Sequence, residues 1–241
     1  DPVTVGYDIY SPQGKLLEFN MQEVTIPGRS TDTVRFTPFI YGTNANKWEP
    51  GAKNPPLYKV MLFTRRDGAY REYMPLKIGF GKTELVDGRL TRFDKELKLV
   101  KAGYNAAADR KTTLAELKAL KAKGNNTICP DYPQPGWFYD LCDELGLYVI
   151  DCANINAPEK RDDRKVGGTP SNDPSLADEY LERVKAMYYR SRNHSCVIAF
   201  ALGGESGNGY NMYKAYEWLK SVEKSRPVIC ADADGEWNSD L

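Results

Sequence analysis

One stretch constrains the fold of this chain more than any other: Ser195-Cys-Val-Ile-Ala-Phe-Ala-Leu-Gly-Gly-Glu-Ser-Gly-Asn-Gly-Tyr210. Its apolar run, residues 196–202, stops at Gly203-Gly204, and a lone carboxylate, Glu205, follows before a helical pattern begins. A short apolar run bounded by glycine reads as a strand buried on both faces, the kind that parallel sheets contain. In alternating strand–helix folds, chemistry sits where the chain leaves the C-terminal end of such a strand. A carboxylate at that point can give or take a proton at a bound molecule. The same position also suits a carboxylate that only favours the start of a helix. Spacing alone leaves both readings open.

The rhythm around this stretch shows where strands alternate with helices. From about residue 98 the chain reads as strand (97–102), helix, strand (126–129), helix (136–145) and strand (147–151). A long polar loop comes next, then a helix opened by Asp173-Pro174, the strand before Glu205, another helix, and a fifth strand at 226–230. Thr113-Leu-Ala-Glu116 has the form of a capping box and predicts the start of the first helix. The charge run at residues 159–165 reads as a solvated surface, in a loop long enough to act as a lid or binding loop. Five strands with four helices between them specify a parallel sheet. The length suits a partial (β/α)8 TIM barrel over residues 83–241, since a complete barrel needs about 250 residues.

The preceding residues, 1–82, have a different period. Val3, Val5, Tyr7 and Ile9 alternate, and further strand-like runs at 15–19, 24–26, 33–36, 57–63 and 73–80 are divided by turn signals such as Asp67-Gly68. This pattern predicts an immunoglobulin-like β-sandwich entered after its first strand. The expected architecture is therefore multidomain, a β unit followed by an α/β unit.

Composition narrows the partners. Lys plus Arg and Asp plus Glu balance at 33 each, so there is no electrostatic case for nucleic acid or an anionic membrane. No apolar run approaches the roughly 20 residues of a membrane helix. The five cysteines, Cys129, Cys142, Cys152, Cys196 and Cys230, form no CxxC pair and read as small buried hydrophobes. Trp137 and Tyr210 read as packing residues at helix entries.

The wording of several segments resembles glycoside hydrolase family 2, and within it the β-galactosidase branch. The residues that carry the resemblance are Trp48-Glu-Pro50, Pro56-Leu-Tyr58, Lys77-Ile-Gly-Phe80, the run from Trp137 to Asp151, Ala153-Asn-Ile155, Arg192-Asn-His194 and Leu202-Gly-Gly-Glu-Ser-Gly-Asn208. The resemblance implies retaining hydrolysis of β-linked sugars, with Glu205 as the acid/base after the fourth barrel strand. It implies a carbohydrate partner, a β-galactoside or related oligosaccharide, contacted by Asn105, Asp131, Asn154 and Gly204. It also makes Trp137 and Tyr210 candidate stacking faces for a sugar ring. His194, placed before the strand, is expected to be structural. Periplasm or secretion is suggested by the resemblance alone.

The departures from the family pattern lie in its substrate-reading residues. Gly204 replaces an Asn, and Asn105-Ala-Ala-Ala108 replaces Asn-Arg-His-Glu. Ile128 and Asp131 stand where the family has Arg and His. Asn156 and Pro158 stand at positions that help bind magnesium in the family, and neither suits a hard cation, so no cofactor is expected. The resemblance places the nucleophile after the seventh strand, beyond the five read here. On that basis the chain alone is expected to be inactive, and the unpaired edges of its sheet predict self-association. A catalytically degenerate carbohydrate-binding relative is the alternative reading.

Overall fold

A computed structural model describes residues 2–51, 54–105 and 108–241. By Cα proximity the chain divides into two compact units: Asp1–Trp48 with Pro55–Phe80, and Glu49–Asn54 with Gly81–Leu241.

The first unit is built on one antiparallel sheet of four strands, β1 (Pro2–Tyr10), β2 (Leu16–Thr25), β3 (Tyr58–Arg66) and β4 (Ala69–Ile78), in the order β2-β1-β3-β4. Asp67 and Gly68 both take positive φ, 53° and 73°, which is what a two-residue hairpin between β3 and β4 demands. Tyr7, Ile9, Trp48, Tyr58 and Phe63 are buried, and Phe36 meets Tyr7 edge-on at 5.1 Å. The Trp48 indole lies over Gly79, where a Cβ would stand 2.6 Å from the ring, so this position of the Lys77-Ile-Gly-Phe80 segment has to be glycine.

Two expectations are corrected here. The runs at 15–19 and 24–26 are one continuous strand, β2, and residues 33–36 form no strand. Among the described residues there is thus one sheet in this unit, without the second sheet that would make a sandwich. The cause is visible in β2, an edge strand with no fully buried residue. Its polar middle, Asn20 to Glu23, is paired with β1 through the backbone, which side-chain periodicity does not report.

The second unit begins with a small antiparallel sheet of β5 (Thr83–Val86), β6 (Arg89–Arg92) and β7 (Lys95–Glu96). The alternating pattern follows: β8 (Lys101–Tyr104), α1 (Arg110–Ala122), β9 (Thr127–Pro130), α2 (Gly136–Leu145), β10 (Tyr148–Cys152), α3 (Ala177–Ser191), β11 (Val197–Ala201), α4 (Tyr210–Val222) and β12 (Val228–Ile229). The five strands are parallel and ordered as in the sequence, β8 and β12 being the two edges of the sheet. Ile128, Val149, Ile198, Ala199 and Phe200 are fully or almost fully buried, as strands covered on both faces require. No helix among the described residues is long and apolar enough to cross a membrane.

The predicted capping box is not the start of α1. The Asp109 carboxylate caps it instead, accepting from the Lys111 and Thr112 amides at 2.9 and 3.0 Å, and Thr113 is buried within the helix. Helix α2 ends at Gly146, whose φ of 66° is the left-handed conformation that stops a helix.

Candidate active site

Because the five strands are parallel, their C-terminal ends open along a single edge of the sheet. The loops there carry Asn105 after β8, Asp131 after β9, Asn154 after β10, Gly204 and Glu205 after β11, and Asp232 after β12. All the predicted site residues therefore lie on that edge, in two linked groups. Gln134 joins the first two loops, donating to the carbonyls of Asn105 (3.0 Å) and Tyr132 (2.8 Å). Asp131 is exposed, and its amide donates to the Tyr104 carbonyl at 3.0 Å. The second group gathers around the 153–157 segment. Gly204 donates its amide to the Ile155 carbonyl at 2.9 Å, and Ala157 donates to the Glu205 carbonyl at 3.0 Å. The Asn156 side-chain amide donates to the Tyr132 hydroxyl at 3.4 Å and so connects the two groups. Ala106 and Ala107 lie outside the described residues.

The Glu205 side chain is 70% exposed at this edge, while the residues after it, Ser206 to Gly209, are buried. A carboxylate presented to solvent on a turn held by hydrogen bonds is what this segment builds. Asp232 holds the turn from below, accepting from the amides of Ser206 (2.8 Å) and Gly207 (2.7 Å). The Ser206 carbonyl is held from the other side by the hydroxyls of Thr169 (2.9 Å) and Ser171 (2.7 Å). Arg161 completes the arrangement, its guanidinium 2.7 Å from Asp232 and 3.5 Å from Glu205. Asn208 is fixed by a reciprocal amide pair with buried Asn238, at 2.8 and 3.1 Å.

Residues 159–165 are exposed except for half-buried Arg161, as a solvated surface requires, but two of their arginines are also committed to partners. Arg164 donates to the Asp232 carbonyl (2.8 Å) and to Asp234 (2.7 Å) and pairs with Glu236. The β10–α3 loop is thereby tied to the loop after β12. Asp232 had a legible signal, since it follows its strand much as Glu205 follows β11. Arg161 had none, because one arginine in a charge run looks like any other.

Asn156 presents a neutral amide, Pro158 no donor at all, and Glu205 already faces a guanidinium, so these residues do not form the oxygen-rich donor set of a hard cation. Among the described residues a different group has metal-ligand chemistry, Asp143, His194 and Cys196, at the opposite end of β11. Its atoms are already engaged. His194 Nδ1 lies 2.7 Å from Asp143 Oδ2, and Asp143 Oδ1 accepts the Cys196 amide at 2.7 Å. Burial pushes the Cys196 thiol well above its ordinary range, which opposes a metal-binding thiolate. Burial likewise raises the Cys152 thiol to about 12 and the Cys230 thiol to about 11, so neither is a reactive nucleophile. Tyr210 is exposed at the start of α4 and Trp137 half-buried at the start of α2.

Residues 104–240 match the sequence profile of the glycosyl hydrolases family 2 TIM barrel domain. A β-galactosidase of Vibrio cholerae is 34% identical over 185 residues, covering 72% of this chain and 18% of the relative. One from Lactococcus lactis is 36% identical over 190 residues, again 72% of this chain and 18% of the relative. The chain thus spans about a fifth of the length of these proteins. Among solved structures, a putative β-galactosidase from Bacteroides fragilis superposes with a TM-score of 0.78 at 18% identity, over 95% of this chain and 34% of that one. A Bacteroides uniformis β-glucuronidase gives 0.77 at 18% identity, over 95% and 29%. At such identity these structures speak for the fold.

Proposed function

The chain belongs to glycoside hydrolase family 2, and from that premise we propose that it contributes the acid/base half of a retaining glycosidase site acting on β-linked sugars. The observation that carries this reading is the Glu205 carboxylate, exposed at the C-terminal end of the fourth parallel strand on a turn clamped by Asp232, Thr169 and Ser171. In a retaining mechanism the acid protonates the leaving oxygen while a second carboxylate, roughly 5 Å away, attacks the sugar. Glu205 then takes a proton from the water that releases the sugar. Arg161 orients the carboxylate and Asp232 fixes the backbone beneath it. A β-galactoside is the first substrate to test, on the strength of the β-galactosidase relatives.

In a polypeptide that carries this chain and hydrolyses β-galactosides, Glu205→Gln should lower kcat/KM on an unactivated β-galactoside by about 100- to 10,000-fold. The loss should be much smaller on an aryl glycoside, whose leaving group needs no proton in the first step. Equal losses on both substrates, or none, would remove Glu205 from the role.

A second reading is favoured by one observation. Gly204, Asn156 and Pro158 occupy positions where the family pattern has working side chains. It makes the protein a catalytically silent relative that holds carbohydrate, and it leads if the protein binds β-galactosides without turnover.

A further inference from the structure

The four-stranded sheet of the first unit has two unlike faces. Tyr7 and Ile9 are buried on one, where Phe36 meets Tyr7. Successive residues alternate between faces, so Gly6 and Asp8 belong to the other, the outer face. The strand register lays that face out in rows across β2, β1, β3 and β4. One row is Phe19, Asp8, Met61 and Pro75, and the next is Met21, Gly6, Phe63 and Tyr73. Beyond the second row run Glu23, Thr4, Arg65 and Tyr70. Beyond the first run Leu16, Tyr10, Lys59 and Lys77. The Phe63 ring lies across Gly6, where a Cβ would stand 2.4 Å from it, and meets Tyr70 edge-on at 5.2 Å. Around it Phe19, Met21 and Tyr73 are each more than half exposed. Apart from Asp8, the two middle rows are apolar on all four strands, a contiguous patch of the kind that marks an interaction surface.

Charge selects the occupant and its direction. Two copies packing these faces, about 10 Å apart as stacked sheets are, can be related by a two-fold axis across the strands or along them. An axis across the strands would set Lys59 over Arg65 of the second copy, like charge on like. An axis along the strands sets β2 over the second copy's β4, and β1 over its β3. Phe19 then meets Pro75, Met21 meets Tyr73, Lys59 meets Tyr10, and Glu23 comes down beside Arg65. Neither Glu23 nor Arg65 has an ion-pair partner among the described residues, and Arg65 Nε makes no hydrogen bond. The face measures about 20 Å each way, roughly 400 Å² a copy, which is the size of a weak, reversible interface. We propose that the outer face of this sheet docks a second copy of the chain, with Glu23 of each copy against Arg65 of the other.

The test is sedimentation equilibrium of the 241-residue chain, alone and in mixtures of variants. Self-association at about 10 to 100 μM should weaken at least about tenfold in Met21→Lys and in Tyr73→Lys, both changes at exposed positions. Glu23→Arg should weaken it by setting like charges against Arg65, and Arg65→Glu by setting them against Glu23. Mixed together, these two variants should recover the association. One copy then offers arginine at both positions and the other offers glutamate at both. Circular dichroism should match the wild type throughout the set. A wild-type chain that stays monomeric at about 100 μM would overturn the proposal. So would association unchanged in Met21→Lys and Tyr73→Lys, which would move it to the strand edges, or a mixture of the two charge variants that recovers nothing.

Discussion

Consecutive glycines before Glu205 do different work, and the difference is measurable. A Cβ on Gly203 would stand 2.8 Å from the Ile155 carbonyl oxygen, so the strand must be bare there to pass β10's outgoing loop. A Cβ on Gly204 would meet nothing nearer than the Asn156 side chain at 3.6 Å, an ordinary contact. Gly203→Ala should therefore lower stability by about 1 to 3 kcal/mol in urea unfolding. Gly204→Ala should change it by less than about 0.5 kcal/mol. Equal effects at the two positions would show that the backbone relaxes, and that close approach to Ile155 is no constraint. The role of Gly203 was invisible in the sequence, where the pair reads only as a stop signal.

Between α4 and β12 the chain turns on one carboxylate. Burial alone would raise the pKa of Glu223, but the Arg226 guanidinium and the amides of Ser225 and Arg226 outweigh it, and the net direction is down. A carboxyl held below its ordinary range adds stability at neutral pH and loses that contribution as the pH falls through its folded value. Glu223→Gln should accordingly lower stability at pH 7, on the order of 3 kcal/mol because both partners are largely buried. The deficit should begin to shrink below about pH 4.3, where the unfolded carboxyl takes up a proton, and should disappear only once the pH falls through the lower folded value. A deficit unchanged with pH would assign the loss to shape and not to charge. The parallel elements were legible because buried strands leave continuous apolar runs: α2 begins and ends at its expected residues, and β9, β10 and β11 fall within one or two of theirs. What the sequence obscured was held by backbone pairing or by single capping groups, as in β2 and at Asp109. The site divided in the same way. Position after a strand revealed Glu205, whereas the Arg161 contact depends on loop packing that no local pattern encodes.

Taken as a whole, the parallel sheet ends at β8 and β12, each paired on one side only among the described residues. Unpaired parallel edges are templates for further strands. We expect the isolated 241 residues to sediment at micromolar concentration as a species heavier than 27.2 kDa. A clean monomer boundary would mean that these edges are shielded. The tie between the two C-terminal loops has a consequence of another kind. Arg161 and Arg164 hold the β10–α3 loop to the β12 loop mainly through ionic contacts, and their partners Asp234 and Glu205 are largely exposed. Lys160 and Lys165 flank them, so a single loop carries four cleavage points for a protease that cuts after basic residues. In dilute buffer the arginines are committed, and the loop should be cut slowly. As added salt shortens the range of charge attraction to about 3 Å at 1 M, the same loop should be cut faster.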